Sequence, residues 1–100
     1  MIKHIVLWKL KENAEGKSAS ENAALIVEKF KTLKGNVPGL VDIESGVDFN
    51  RSAAAWDVAL VTAFNSKADL DFYQTFPAHV EIKNFIGKVS LDRCVLDYEI

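Results

Sequence analysis

Three stretches of this chain read as strands that are apolar on both faces. In residues 2–10, His4, Val6, Trp8 and Leu10 point one way and Ile5 and Leu7 the other. Residues 56–64 set Val58, Leu60 and Phe64 against Ala59, Val61 and Ala63, and residues 90–98 set Leu91 and Val95 against Cys94, Leu96 and Tyr98. A sheet of such strands has to be covered on both sides. Helices can cover one face only, and the second dry face is too large to leave in water. A second sheet from another copy of the chain is the most economical cover, so the pattern predicts a homodimer that closes a barrel.

The remaining segments supply the helices. Ser18-Ala19-Ser20-Glu21 reads as a capping box, with Ser18 as N-cap and Glu21 at the third helical position. Ala23, Ile26, Val27, Phe30 and Leu33 follow at helical spacing, and Gly35, Pro38 and Gly39 end the helix. Residues 40–50 form a half-polar strand, with Val41, Ile43, Val47 and Phe49 on one face and Asp42, Glu44 and Asp48 on the other. That pattern suits a sheet edge, and Gly46 marks a bulge. Ser66 to Asp69 is a second capping signal, opening a short helix that carries Leu70, Tyr73 and Phe76. Pro77 disfavours helix at Phe76 and suits the first position of a new helix, whose buried stripe is Ala78, Ile82, Ile86 and Val89. The order is β-α-β-β-α-β with a broken second helix, an α+β, ferredoxin-like arrangement in a single domain over residues 1–100.

Composition narrows the function classes. Net charge is −2, and the only arginines are Arg51 and Arg93, so no basic face is set up for nucleic acid. No apolar run approaches the ~20 residues of a membrane helix. The N-terminal run carries Lys9 and lacks a small-residue cleavage site, so it reads as a strand rather than a signal segment. Cys94 is the single cysteine, expected as an inert buried thiol, and both features fit a reducing cytoplasm.

The chemistry-bearing residues concentrate in residues 70–80, which hold one of two histidines, one of two tyrosines and one of two prolines. His79 in the first turn of a helix sits where the dipole opposes positive charge, which suits a neutral general base. The plainer alternative is a semi-buried histidine that anchors the helix start. Tyr73 could donate a hydrogen bond to a developing enolate, or simply pack its ring in the core. His4 lines a cavity if its strand face looks into the barrel, and is a core histidine if that face looks toward the helices. Trp8, Trp56, Phe64, Phe72 and Phe76 could line an aromatic pocket or be ordinary core and interface. Two histidines without a spaced carboxylate or cysteine cluster predict no metal site.

Three segments together resemble the stress-responsive A/B barrel family. They are Ile2-Lys3-His4-Ile5-Val6-Leu7-Trp8-Lys9-Leu10, the turn Val37-Pro38-Gly39-Leu40, and Asp71-Phe72-Tyr73 followed by Pro77-Ala78-His79. The resemblance implies a dimeric α+β barrel of ferredoxin-like subunits. It also implies that Tyr73 and His79 correspond to the tyrosine and histidine with which plant polyketide cyclases of the family carry out cofactor-free aldol condensation, and His4 to their strand histidine. The chain departs from many members near Trp56-Asp57-Val58, where it has no histidine.

Together these features predict a cytoplasmic homodimer with a small internal pocket near His79. Its ligand is expected to be a small apolar or aromatic molecule, held by His4, Val6, Trp8, Trp56 and Phe76 without a cofactor. The alternatives are a cofactor-free cyclase, lyase or isomerase with His79 as base and Tyr73 as donor, and a purely structural assembly module. A cavity of at least ~300 Å³ reaching His79 would favour a ligand or catalysis, and a filled barrel would favour assembly.

Overall fold

Strand β1 (Ile2–Leu10) buries every second side chain, from Ile2 through His4, Val6 and Trp8 to Leu10, as its alternation requires. In the computed structural model, which describes residues 1–100, this strand is central. It pairs antiparallel with β5 (Val58–Phe64) on one side and β6 (Ser90–Glu99) on the other, and β4 (Leu40–Val47) pairs with β5. The order β4-β5-β1-β6 is that of the ferredoxin-like fold.

Three helices lie over the face that carries Val6, Trp8, Leu60 and Phe64. Helix α1 (Ala19–Lys31) begins on the expected capping box: Ser18 Oγ accepts from the Glu21 N–H at 3.2 Å, and the Glu21 carboxylate accepts from the Ser18 N–H at 3.1 Å. A cap of this kind is worth about 1 kcal/mol. Helix α2 (Lys67–Thr75) is capped by Ser66, whose hydroxyl accepts from the Asp69 N–H. It stops where Phe76 turns extended (φ −64°, ψ 127°), and Pro77 then opens helix α3 (Pro77–Val89). Ile26, Phe30, Ile86 and Val89 meet the sheet, with Phe30 stacked on Trp8 at 5.8 Å.

Several local expectations are corrected. The polar segment after β1 holds a small hairpin, β2 (Asn13–Ala14) and β3 (Lys17–Ser18). Its turn residues Glu15 and Gly16 both have positive φ, which the tight hairpin requires. The irregularity in β4 falls between Leu40 and Asp42 rather than at Gly46. That shift takes Val41 out of alternation, and the strand ends before Phe49, so of the expected apolar face only Ile43 is buried. The buried stripe of α3 starts on His79, with Ala78 only half-buried. Cys94 is exposed in the single chain, because it lies opposite Leu7 on the sheet face that the helices do not cover.

The sheet face away from the helices carries an apolar strip across three strands. Ile5 lies opposite Val61 and Leu96, and Leu7 opposite Ala59 and Cys94. Leu96 is 59% exposed and Tyr98 43% in the single chain. No helix is long and apolar enough to cross a membrane.

Candidate functional site

The break at Phe76-Pro77 sets the geometry of the site. Tyr73 lies in the last turn of α2 and His79 in the first turn of α3, and the change of direction between them turns both side chains onto the sheet. Their ring centroids are 4.0 Å apart with the planes inclined at 36°. Phe64 packs against Tyr73 at 5.1 Å, and His4 meets it edge-on at 6.3 Å.

His4 is 2% exposed and is oriented by Asp97, its cross-strand neighbour on β6. Its Nδ1–H donates to Asp97 Oδ1 at 2.5 Å, since an ionised carboxylate can only accept. The other ring nitrogen is thereby left to face the interior. Asp97 was not foreseen, because only the β1–β6 register brings it opposite His4. The strand face that carries His4 looks toward the helices.

Between that face and the helices lies a cavity of about 200 Å³. It therefore sits within one chain, not between two sheets of a barrel, and it is smaller than the ~300 Å³ that ordinary ligand pockets reach. Val6, Trp8, Phe30, Leu60 and Ile86 make its apolar wall. His4, Gln74, His79, Lys83 and Arg93 supply the polar groups, and Gly87 of α3 leaves it unobstructed, since an added Cβ there would meet nothing within 4 Å. Gln74, Lys83 and Arg93 also escaped the sequence reading. The available signal was helical spacing, since His79 and Lys83 stand four residues apart on one face.

Two buried polar atoms at the site have no protein partner, His79 Nδ1 and the Tyr73 hydroxyl. Burial is the main cause that lowers the His79 pKa to about 4, and the charges of Lys83, His4 and Arg93 act the same way, against the Gln74 backbone carbonyl. Burial likewise pushes the Tyr73 phenol above its ordinary range. At neutral pH the site thus presents an uncharged imidazole backed by an uncharged phenol. His79 forms part of the cavity wall, whereas Tyr73 stands behind it, outside the lining.

Of the residues expected to hold a ligand, His4, Val6 and Trp8 line the cavity, together with the candidate base His79, whereas Trp56 and Phe76 do not. Trp56 precedes the first paired residue of β5, so strand alternation does not govern it. Its ring lies under the Lys9 ammonium at 5.0 Å, in a shallow depression with Leu7, Val47 and Phe49. Phe76 occupies the extended link between helices and turns toward Phe72, at 5.7 Å. Asp57, next to Trp56, ties strands together: its carboxylate accepts from the Leu10 N–H at 2.7 Å, and its own N–H donates to the Trp8 carbonyl. No three His, Cys, Asp or Glu side chains are grouped as metal ligands would be.

A family model described as the stress responsive A/B barrel domain matches residues 2–100. Among solved structures, a dimeric protein of unknown function with a ferredoxin-like fold from Bacteroides fragilis is 28% identical, with a TM-score of 0.87 over 99% of this chain and 95% of that one. A dimeric ferredoxin-like protein from Thermobifida fusca is 20% identical, with a TM-score of 0.85 over 99% and 90%. A hydroxynitrile lyase from Passiflora edulis is also 20% identical, with a TM-score of 0.80 over 99% and 92%. At such identity the last two likenesses concern the fold alone. No curated protein matches the chain in sequence.

Proposed function

The chain belongs to the stress-responsive A/B barrel family, and on that footing we propose that it works as a homodimer that binds a small, largely apolar molecule in the cavity beside His79. The observation that carries the proposal is the cavity itself, where the His79 ring, 6% exposed, shares one wall with Trp8, Phe30 and Ile86. The volume suits a single-ring body, because an apolar cavity of about 150 Å³ already accepts benzene. Dimerisation is supported by the apolar strip on the far face of the sheet and by the description of the Bacteroides and Thermobifida proteins as dimeric. We set the protein in the cytoplasm, where its single cysteine, Cys94, stays reduced.

A second function, cofactor-independent proton transfer of the cyclase, lyase or isomerase kind, is favoured by the neutral state of His79. A base with a pKa of about 4 is available at pH 7 but pulls weakly on a proton, so binding comes first. In either case Tyr73 positions the His79 ring from behind. At about 200 Å³ and within one chain, the cavity falls below the ~300 Å³ set above, so a purely structural assembly module stands as the other alternative.

Titration with benzyl alcohol, followed by the side-chain NMR signals of His79 and Trp8, tests the binding function. Saturable shifts at both residues are expected. Shifts confined to the surface around Trp56, or none into the millimolar range, would overturn it.

A further inference from the structure

The cationic residues at the cavity are unmatched. Lys83 and Arg93 both line it, no carboxylate does, and neither cation takes part in an ion pair. They come from two elements: Lys83 lies four residues beyond His79 on α3, and Arg93 lies opposite Trp8 on β6. The acid nearest to hand on the same face of β6 is Asp97, and its carboxylate is already committed to His4. Charges of one sign converge on a partly enclosed space whose apolar wall raises the strength of any charge–charge attraction there. A neutral ligand would leave both cations without a counter-charge, and a cationic ligand would be repelled.

We propose that the cavity takes a compact carboxylate, its apolar ring-sized body against Trp8, Phe30 and Ile86 and its carboxylate between Lys83 and Arg93. The bare edge of α3 at Gly87 leaves the body room to enter. The His79 ring in the wall stands beside the two cations and marks the inner end of the site. This ligand class rests on the binding function proposed above and narrows it.

The test compares benzoate with its uncharged relatives benzamide and benzyl alcohol at pH 7 and low salt, on the full chain. Calorimetry gives the affinities and the His79 NMR signal gives the place of binding. Benzoate is expected to bind roughly tenfold more tightly than benzamide, as charge-assisted hydrogen bonds from two cations provide. Lys83→Ala with Arg93→Ala should close that gap, and the variant should fold, since both side chains are exposed and their removal disturbs no core. Lys83→Glu, which leaves one negative and one positive charge at the site, should abolish the preference. If benzamide binds at His79 as well as benzoate does, the carboxylate assignment falls and the binding site stands. A preference for benzoate that survives the double variant also overturns the assignment. If none of the three probes moves the His79 signal, both proposals fall.

Discussion

The rings of Tyr73 and His79 lie 4.0 Å apart, centroid to centroid, across the link that ends one helix and begins the next. On an unbroken helix, side chains six residues apart would face different directions and be separated by about 9 Å of rise. Pro77 is what makes them neighbours, by ending α2 at Thr75 and restarting the chain as α3. Both rings are buried and neither polar atom described above has a protein partner, so the pair bears on folding stability as well as on the proposed binding.

The buried imidazole makes stability depend on pH. Above pH 6.5 His79 is neutral in both folded and unfolded chains. Between 6.5 and about 4 the unfolded chain takes up a proton that the folded one refuses, so this contribution is lost on acidification. The shift corresponds to roughly 3 kcal/mol once the pH is below both values. His79→Gln removes it. Urea unfolding of the two proteins at pH 7, 5 and 4 should show the wild type losing about that much more than the variant. A wild type that gains on the variant at low pH would mean that His79 has an anionic partner in the folded state.

Tyr73→Phe keeps every ring contact and deletes an unpaired hydroxyl. Stability should be unchanged or higher by up to about 1 kcal/mol in chemical denaturation. A loss above about 1 kcal/mol would show that the hydroxyl is hydrogen-bonded in solution. Tyr73→Ala, by contrast, removes the ring that packs on His79 and Phe64 and should cost about 3–5 kcal/mol.

Gly87 separates access from stability. It lies inside α3 where a Cβ meets nothing, so Gly87→Ala should stabilise the protein by about 0.5–1 kcal/mol. Gly87→Leu should fold as well and weaken ring-sized ligands at least tenfold by filling the cavity edge. Thermal melts paired with benzyl alcohol titrations read both effects. Unchanged affinity in Gly87→Leu would mean that the ligand approaches from another side.

The far face of the sheet is the predicted dimer surface. Leu96 is 59% exposed in the single chain, so Leu96→Asp costs the folded subunit little. Light scattering should find twice the chain mass for the wild type and the chain mass for the variant. A wild type that runs as a monomer would remove the homodimer from the proposed function.

How much of this was legible in the sequence follows from where each determinant lies. The capping box Ser18–Glu21, the Ser66 cap and the stop at Phe76-Pro77 act over three or four residues, and each stands as expected. The alternation of β1 sorted its side chains onto the two faces, and the structure shows that the His4, Val6 and Trp8 face is the one the helices cover. Strand alternation failed where pairing intervened, as at Val41 beside the register shift, and where a residue lay outside its strand, as with Trp56. Cys94 is exposed in the single chain because it lies on the sheet face away from the helices, so its expected burial depends on the partner subunit.

By itself the amino-acid sequence determined the elements, their order and the ferredoxin-like fold, because alternation, helical spacing and caps are local properties of neighbouring residues. It also marked Tyr73 and His79 as the residues to watch. Only the tertiary structure decided that Asp97 holds His4, that Lys83 and Arg93 meet at one cavity, and that His79 lines it while Tyr73 stands behind. Those relationships depend on the register between β1 and β6, whose paired residues His4 and Asp97 are 93 positions apart, and on the angle between two helices. Burial, charge and pKa at the site come from groups that meet only when the chain is folded, and no pattern along the sequence carries that information.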